Sequence, residues 1–441
     1  MISFILLFSS IQNASFSVAP DNTPQDKKQK FDQGFYEKIH DKINAGETRE
    51  YNVIVYVKKI PVNGEDAKIV AKKNKDKLED VMIKIHKAKN KYKAQVLSFV
   101  SASVPLKEIP RLADYDYVAE IGDGELKVEL EMNVARPTVN AMNLLLNGTG
   151  VRVAVIDSGI RQNHDDLPVG TKIISQTVCT PTGCGSGNFD DDANHGTHVA
   201  GIIASLGNLD SQMKGIASGA DLLNTKRVSS GFDTTSVAKA LDWSLVNGAK
   251  VINASFRVFN NEADTLGICS NNNISNLMVE ETVDEGALVI KSAGNQGNHT
   301  DGIVKLRTIT NPGCGFNVLA VGAINDKNTF PDTNDDIIED FSSRGSFDGR
   351  LKPELVAPGV LINSTDYFTN YSDSGVIGTS FAAPFVSGAA ALLLQAQPQY
   401  TPLEVKAALL LGANWKAAVP MNATYYENNN STDSTLNSWI F

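Results

Sequence analysis

The pattern of apolar and polar positions divides the chain into two parts. In the first part, 51–58 alternates apolar and polar residues as a strand does, and 66–92 has the apolar spacing of an amphipathic helix with lysines on its other side. The pattern then predicts a strand at 94–104, a short helix at 106–114 and a strand at 117–121. This order predicts a small α+β unit with one sheet and its helices on one face.

From residue 151 the pattern changes to short apolar runs that alternate with helical stretches. The runs are VRVAVID, DLLNTKRV, KVINASF, ALVIKSAG and NVLAVGA, and the helical stretches lie near 197–206, 235–248, 276–286 and 380–397. Apolar strands without polar alternation, placed between helices, are typical of a parallel sheet that is buried on both faces. The second part is therefore predicted to be a doubly wound α/β domain, whose chemistry lies at the carboxyl ends of its strands.

The first 50 residues contain a candidate export signal followed by a polar stretch. Residues 2–8 form an apolar run of the length found in signal peptides, which assigns 1–20 to a signal peptide and 21–50 to a polar linker. No Lys or Arg precedes the run and no clear cleavage motif follows it, which a truncated gene start would explain. No later segment approaches the roughly 20 apolar residues of a membrane helix. We expect a secreted or cell-surface protein without a membrane span.

Composition excludes several classes of protein and shows an uneven charge. Apolar residues make up 42% and charged residues 20%, as in globular proteins, and the net charge of −10 argues against nucleic acid as a partner. Residues 1–134 carry 21 basic and 20 acidic side chains, whereas 135–441 carry 19 and 30, and ten lysines fall within 67–93. We therefore expect the lysine-rich helix to pack on, or be steered toward, the acidic second part. A solvated helix face is the alternative.

The four cysteines allow two disulfides. Cys179 and Cys184 are five positions apart in VCTPTGC, a spacing that a local disulfide can close, and Cys269 and Cys314 are the candidates for a second pair. Two unpaired buried thiols are the alternative for the second pair. Metal binding is the rival at the first pair, but neither a C-x-x-C motif nor a histidine supports it.

Three polar residues stand where the predicted fold places chemistry. Asp157 ends the strand VRVAVID, His195 stands where a helix begins in NHGTHVAG, and Ser380 lies in the first helical turn of GTSFAAPFVSG. Each has a structural alternative, because a strand-end acid is commonly a turn former and a serine at a helix start is commonly an N-cap. His195 and His198 have a spacing that a helix could offer to zinc, but no glutamate completes the metalloprotease pattern.

Asn295 is a fourth candidate, placed after the strand ALVIK in KSAGNQGN. Its side-chain amide could face a substrate carbonyl, although an Asn between glycines is otherwise a turn residue. The helix start at Ser380 offers free N–H groups and the positive end of the helix dipole, which also stabilise an oxyanion. Ser380 does not lie in the G-x-S-x-G elbow of α/β-hydrolases, which removes the main support for a lipase or esterase.

The segments VAVIDSGI, HGTHVAGI, SAGNQGN and GTSFAAPFVSG resemble the four signature segments of the subtilisin-like serine peptidases, or subtilases, in that family's chain order. FSSRG at 341–345 fits the same family, and the match covers about 137–411. The resemblance implies a three-layer α/β fold with a mainly parallel central sheet and helices on both faces. It also implies a nucleophile at Ser380, a general base at His195, an orienting carboxylate at Asp157 and an oxyanion donor at Asn295.

The α+β unit at 51–125 is similar to the ferredoxin-like propeptide of subtilases, which acts as an intramolecular chaperone and inhibitor. The resemblance implies a zymogen whose last propeptide strand occupies the substrate cleft and is cut by its own protease, here between 122 and 136. The catalytic domain then covers 135–441. Family domains usually close with a WG-bearing segment and a final helix, so the ending LNSWIF predicts a domain truncated at its C-terminus.

The resemblance also assigns substrate-binding residues and a metal candidate. The substrate-binding residues are Ser255, Phe256, Arg257, Ser292, Ala293 and Gly294. Subtilases usually have glycine near the position of Arg257, which would narrow or recharge the first specificity pocket, with a solvated surface arginine as the alternative. Catalysis requires no cofactor. Calcium often stabilises the family, with Asp166 resembling a ligand, and the acidic run 190–192 is either a second calcium candidate or a solvated turn.

We therefore expect a secreted serine endopeptidase that is made as a zymogen, hydrolyses protein or peptide substrates through an acyl-enzyme and self-cleaves its propeptide. An inactive binding protein on the same fold is one rival, and turnover of a chromogenic peptide by wild type but not by Ser380→Ala separates the two. An esterase or acyltransferase with the same triad is the other, and it is favoured if esters are turned over faster than every peptide.

Overall fold

A computed structural model of the chain describes residues 27–32, 34–60, 66–125, 128–130, 146–227, 233–259, 269, 273–297, 306–327, 329, 335–372 and 375–413. The signal peptide predicted at 1–20, residues 131–136 of the predicted cut region and the segment 414–441 lie outside the described residues. The described residues form an N-terminal unit within 27–125 and a C-terminal unit within 146–413.

The N-terminal unit is an antiparallel sheet with helices on one of its faces. Its strands are β1 (Glu50–Val57), β2 (Lys89–Lys93), β3 (Phe99–Pro105) and β4 (Val118–Asp123), in the order β2-β3-β1-β4. Its helices are α1 (Phe35–Asn44), α2 (Ala67–Lys84) and a 3-10 helix (Leu106–Asp114). Side chains alternate along a strand, so Val53 and Val55 of β1 pack with these helices while Ile54 and Tyr56 pack with the C-terminal unit.

The polar linker predicted at 21–50 is wrong in its second half, because α1 lies there. Phe35 and Ile39 of α1 are buried in the core that includes β1, and Phe31 joins them from the preceding segment. A helix of this length owes most of its stability to tertiary packing rather than to its own residue preferences. Its few apolar residues therefore gave a weak signal until the sheet supplied a surface to bury them.

Helix α2 is shorter than predicted, and only part of its apolar side is buried. It ends at Lys84 rather than at residue 92, and the residues that follow form β2. Leu78 and Met82 of the apolar side are buried, but Ile69 of the same side is 52% exposed. Lys75 is buried instead, and its ammonium donates to the carbonyl oxygens of Ala94 and Leu97 at 2.7 Å each. A lysine can take a core position here because its stem is apolar and its charged end is hydrogen-bonded.

The C-terminal unit is built on a mainly parallel sheet. Strand β5 (Val128–Leu130) precedes this unit, and strands β6 to β15 are Arg152–Asp157, Ile173–Thr180, Gly183–Gly185, Asp221–Arg227, Val251–Ala254, Phe256–Val258, Leu288–Ser292, Leu319–Asn325, Ile337–Ile338 and Leu355–Pro358. The sheet has the order β14-β13-β12-β10-β6-β9-β7-β8, with β15 also paired to β13. Within the described sheet, β7–β8 and β13–β14 are the antiparallel pairs. Strands β5 and β11 form a separate antiparallel pair.

Helices cover both faces of this sheet, which confirms the predicted three-layer α/β fold. The helices are α3 (His195–Ala204), a 3-10 helix (Ser211–Met213), α4 (Thr234–Val246), α5 (Ile274–Asp284), α6 (Thr379–Ala396) and α7 (Pro402–Gly412). Val153 and Val155 of β6 share a core with α3 and α6, whereas Ala154 and Ile156 share one with α4 and α5. The carboxyl ends of β6, β10 and β12 lie side by side, because these neighbours are parallel.

Helix α6 is the one helix of the described ranges whose length and composition would suffice to cross a membrane. Its apolar window is, however, 72% buried inside the protein, where Phe381 and Ala390 pack in the core of the sheet. The core helix of a soluble domain has the same composition, because its whole circumference is covered by protein.

The N-terminal unit is docked on α4 through a buried carboxylate. Asp242 accepts three hydrogen bonds of 2.8–3.0 Å from consecutive backbone N–H groups in the turn between β2 and β3, those of Gln95, Val96 and Leu97. The hydroxyl of Tyr92 donates a fourth bond at 2.6 Å. Burial beside Asp242 raises the pKa of Tyr92, which keeps its hydroxyl a donor. One side chain of the C-terminal unit therefore holds an entire turn of the N-terminal unit.

Glu281 of α5 makes a second docking contact of the same kind. Both of its carboxylate oxygens accept from the backbone N–H of Ser98 at 3.1 Å, and Lys59 pairs with it. Lys68 of α2 pairs with Glu285, but the lysine side chain is 74% exposed. The acidic unit thus contacts mainly the open face of the sheet and its turn, not the lysine-rich face of α2 that the charge pattern had suggested.

Candidate active site

Asp157 and His195 meet where β6 ends and α3 begins. His195 Nδ1 lies 2.8 Å from Asp157 Oδ1, and both side chains are about 1% exposed. The backbone N–H of Ser158 donates to the same carboxylate oxygen at 2.7 Å, and the Ser158 hydroxyl oxygen lies 3.2 Å from it. The carboxylate therefore orients the imidazole so that Nδ1 is the donor and Nε2 is the basic atom.

Ser380 lies across from this pair, in the first turn of α6. The ring of Phe381, its neighbour in the chain, is centred 5.1 Å from the His195 ring. His195 Nε2 is buried and has no hydrogen-bond partner within the described ranges. Hydrogen bonds between nucleophile and base are often long before substrate binds, so this arrangement suits a base that acts on the Ser380 hydroxyl. Ser255 fixes the start of the helix, because its hydroxyl donates to the Ser380 carbonyl at 2.9 Å.

The side-chain amide of Asn295 is oriented by the residue before the serine. The backbone N–H and the hydroxyl of Thr379 both lie 3.0 Å from Asn295 Oδ1. Two donors at one end identify that end as the oxygen and leave the amide nitrogen as the donating end. The Thr379 hydroxyl also accepts from the N–H of Gly294 at 3.1 Å, which ties the end of β12 to α6. The amide is thus held rigid next to Ser380.

Asp191 lies beside the candidate site, although its sequence context indicated only a solvated acidic turn or a calcium candidate at 190–192. It is 3% exposed, and its Oδ1 accepts from the Ser158 hydroxyl at 2.6 Å. Its Oδ2 accepts from the backbone N–H and the hydroxyl of Thr197 at 2.8 and 2.6 Å. The carboxylate therefore connects the residue after Asp157 with the first turn of the helix that carries His195. In the sequence Asp191 is one of three consecutive aspartates, so nothing there shows that this one is buried.

The close approach of β6 and α3 depends on the glycine that follows His195. A Cβ atom at Gly196 would lie 2.1 Å from the carbonyl oxygen of Gly159 and 3.1 Å from the Cβ of Asp157. Contacts this short with backbone cannot be relieved by moving a side chain. The spacing of 2.8 Å between the imidazole and the carboxylate therefore requires glycine at 196.

The two segments expected to bind substrate lie at the carboxyl ends of β10 and β12, but several of their side chains have structural tasks. Phe256 is fully buried, so this residue offers its backbone and not its ring. Ser292 is also buried, and its hydroxyl accepts from the ammonium of Lys291 at 2.8 Å. Gly294 has φ +113°, and Ala293 is buried behind it. Arg257 is partly exposed, with its guanidinium carbon 5.0 Å from the centre of the Phe259 ring.

Strand β11, which follows the first of these segments, is paired with a segment that follows the N-terminal unit. The backbone of Val128–Leu130 runs antiparallel to Phe256–Val258, with Leu130 opposite Phe256 and Glu129 opposite Arg257. Extended peptides are bound in this way when they add a strand to an exposed sheet edge. The chain therefore places its own residues 128–130 along the strand that leads to the site.

Both predicted cysteine pairs are bonded in the structure. Cys179 and Cys184 are opposite each other in the hairpin β7–β8 at the sheet edge. Cys269 and Cys314 are joined across the loops beside Ala293, with which they share a small buried cluster. The second disulfide thus supports the wall that carries Gly294 and Asn295, where unpaired thiols were the alternative.

Asp166 was a possible calcium ligand by its resemblance to the family, but the surroundings of this carboxylate do not fit a calcium site. Asp166 is fully buried, its Oδ1 accepts from the backbone N–H of Asn208 at 2.5 Å, and its Oδ2 accepts from the Tyr371 hydroxyl. Burial beside Asp166 raises the pKa of Tyr371, so the phenol stays protonated and donating. Calcium needs six to eight oxygen ligands, whereas hydrogen-bond donors occupy this carboxylate.

No group of three or more His, Cys, Asp or Glu side chains suited to a metal ion occurs in the part of the chain that the structure describes. His198, the second histidine of the HxxH spacing, has its Nδ1 2.7 Å from the carbonyl oxygen of Thr365 and its Nε2 3.5 Å from Asp366 Oδ2. Burial lowers the pKa of His198, which favours the neutral ring. The two histidines therefore have different hydrogen-bond partners, Asp157 for His195 and Thr365 for His198.

Comparison with known proteins gives a consistent picture of the C-terminal unit. The sequence profile described as "Subtilase family" matches residues 148–437. The chain is 32% identical over 307 residues to serine protease AprX of Bacillus subtilis, which covers 62% of this chain and 64% of AprX. It is 34% identical over 262 residues to subtilisin E of the same organism, which covers 59% of each protein.

The chain thus spans less than two thirds of the length of these curated relatives. A solved structure extends the comparison of folds to 81% of this chain. It is fervidolysin from Fervidobacterium pennivorans, described as a keratinolytic enzyme related to subtilisin, with a TM-score of 0.55, 22% sequence identity and 56% of its own chain covered.

Proposed function

Since the chain belongs to the subtilase family, we propose that it is a serine endopeptidase that hydrolyses peptide bonds through an acyl-enzyme. One observation carries this proposal. His195 is held by Asp157 at 2.8 Å through Nδ1, its Nε2 is buried without a partner in the described ranges, and its ring is centred 5.1 Å from that of Phe381, the residue after Ser380. A histidine that merely filled core space would have both nitrogens satisfied.

In this mechanism the Ser380 hydroxyl attacks the substrate carbonyl carbon as its proton passes to His195 Nε2. The imidazolium that forms is stabilised by the buried Asp157 carboxylate, which keeps its own charge. The protonated Nε2 then delivers the proton to the leaving amine as the peptide C–N bond breaks, which leaves an ester on Ser380. Water attacks this ester with His195 again as the base, and the acid product leaves.

The negative charge that develops on the carbonyl oxygen needs fixed donors. The amide nitrogen of Asn295 is one, because Thr379 holds the amide oxygen at its other end. The free N–H groups of the first turn of α6 are the other, together with the positive end of the helix dipole. Removing one such donor from an oxyanion hole costs about 10²–10³ in kcat. Because the Asn295 amide is already oriented, no reorganisation is needed during the reaction.

We further propose that the N-terminal unit is a propeptide that inhibits the enzyme until the chain cuts itself. Two features support this: strand β5 lies along β11 as a bound peptide would, and Asp242 and Glu281 hold the rest of the unit in place. The cut falls between 122 and 136. Export of the protein is the matching proposal for its location, because two disulfides persist in oxidising compartments outside the cytosol.

The test is to express the full chain and the Ser380→Ala variant in parallel and to follow two products. Wild type is expected to release a fragment whose new N-terminus lies within 123–137 and to hydrolyse a chromogenic peptide, whereas Ser380→Ala does neither. The Asn295→Ala variant should cut its own chain at a rate about 10²–10³-fold below that of wild type. Equal residual rates in wild type and Ser380→Ala would refute the peptidase, and turnover of esters but of no peptide would point to an acyltransferase or esterase.

A further inference from the structure

Strand β11 presents an arginine at a defined position along the cleft. Phe256 and Val258 are fully buried and Arg257 between them is partly exposed, so its side chain is on the opposite face of the strand. The guanidinium carbon lies 5.0 Å from the ring centre of Phe259, two residues further along the same face. The guanidinium is thus directed along the strand toward the buried Phe259 ring, while the Arg257 residue as a whole stays partly exposed.

The pairing of β5 with β11 shows which peptide position faces this arginine. The partner of Arg257 in the antiparallel register is residue 129, with Val128 and Leu130 on either side. Directly opposed residues of an antiparallel pair point to the same face, with Cβ atoms about 4.5–5.5 Å apart. A peptide bound in the place of β5 therefore presents one side chain on the face of Arg257, within reach of a guanidinium.

The charges along the cleft make this position distinctive. Residue 129 of the chain is a glutamate, in the sequence KVELEM. The other residues assigned to substrate binding are uncharged, namely Ser255, Phe256, Ser292, Ala293 and Gly294. Residues 135–441 carry 19 basic and 30 acidic side chains, so an acidic peptide is repelled in general. Among the residues assigned to substrate binding, Arg257 is the charged one.

We propose that Arg257 determines specificity by selecting peptides with Glu or Asp at the position opposite it, the place that Glu129 takes in this chain. The inference rests on the proposed peptidase function for its catalytic consequence, but the pairing itself does not need catalysis. Because carboxylate and guanidinium form paired, charge-assisted hydrogen bonds, the preference is for acidic side chains over their amides and strongest against lysine. The propeptide then acts as a built-in example of the preferred substrate.

The pairing is tested first in the full-length Ser380→Ala chain, where no cut can occur. Amide hydrogen exchange of 128–130 is compared in that background alone and with Glu129→Gln, Arg257→Gln, Arg257→Glu and Glu129→Arg/Arg257→Glu. Each change that removes one charge should speed exchange about three- to fivefold, and the reversed pair should restore protection. Arg152→Gln, which removes an equal charge at the far end of β6, should change nothing. Additive effects without rescue would overturn the inference.

The specificity is tested second with the wild-type full chain after it has processed itself. Peptides that differ only in Glu, Gln or Lys at the position opposite Arg257 are compared by kcat/KM at low and high salt. Glu should be favoured over Gln about three- to fivefold, Lys should be the poorest, and Arg257→Gln should abolish the order. If Arg257→Gln ranks the three peptides as wild type does, the inference about Arg257 is refuted, but the proposed peptidase function stands. If wild type hydrolyses none of the peptides, the peptidase function is refuted, and the hydrogen-exchange experiment still decides whether residue 129 and Arg257 pair.

Discussion

The sharpest prediction concerns Asp242, which holds the N-terminal unit without touching the site. In Asp242→Ala, the three backbone N–H groups of 95–97 lose their acceptor, as does the hydroxyl of Tyr92. Leaving one side of a buried, hydrogen-bonded charge unpaired costs about 2–5 kcal/mol. We take about 3 kcal/mol from this range, because water can reach the turn once the carboxylate is gone. The dissociation constant of the N-terminal unit is then expected to rise roughly hundredfold.

The assay is inhibition of the processed enzyme by a separately produced fragment 26–130, with the inhibition constant measured for wild type and Asp242→Ala. Two controls set the scale. Asp284→Ala removes an exposed charge from the end of α5 and should leave the constant unchanged. Lys68→Gln breaks the exposed pair with Glu285 and should change it less than about fivefold. A constant for Asp242→Ala within threefold of wild type would refute the idea that this carboxylate anchors the turn.

Three further predictions follow from single carboxylates. Asp191→Asn should lower kcat on the order of tenfold or more without changing the fold, because Ser158 loses its charged partner and the His195 imidazole shifts. An unchanged kcat, with a circular dichroism spectrum like that of wild type, would contradict this. Asp166→Asn should lower the free energy of unfolding by about 1–3 kcal/mol, and by the same amount in calcium and in EDTA, because its partner is Tyr371 and not an ion. A loss of stability seen only in calcium would show that Asp166 binds the metal. Burial raises the pKa of Asp233 to about 7, so its protonated form is favoured in the folded state, and the stability it contributes at low pH is lost as pH rises from about 4 through 7. Asp233→Asn in the Ser380→Ala chain should flatten that fall in urea unfolding, and an identical pH profile would show that another group titrates.

The sequence alone singled out the four candidate residues, because each of them lies at the end of a predicted element. Asp157 ends an apolar strand, His195 and Ser380 begin helices, and Asn295 follows another strand. Their expected roles came from the resemblance of the surrounding segments to the subtilase signatures, since each residue by itself also had a structural explanation. In a parallel sheet all carboxyl ends lie at one edge, and this regularity brings the four residues together without any knowledge of the contacts. The three-layer architecture followed from the same unalternated apolar strands.

The tertiary structure decided what depends on partners far apart in the chain. Helix α1 buries two side chains only because a sheet formed elsewhere, and Asp242 became an anchor only because a turn some 145 residues away met it. Asp191 connects Ser158 with Thr197, and Asp166 accepts hydrogen bonds from Asn208 and Tyr371, yet both are ordinary acids in sequence. The role of a charged side chain is determined by burial and by the donors opposite it, and neither quantity exists until the chain has folded.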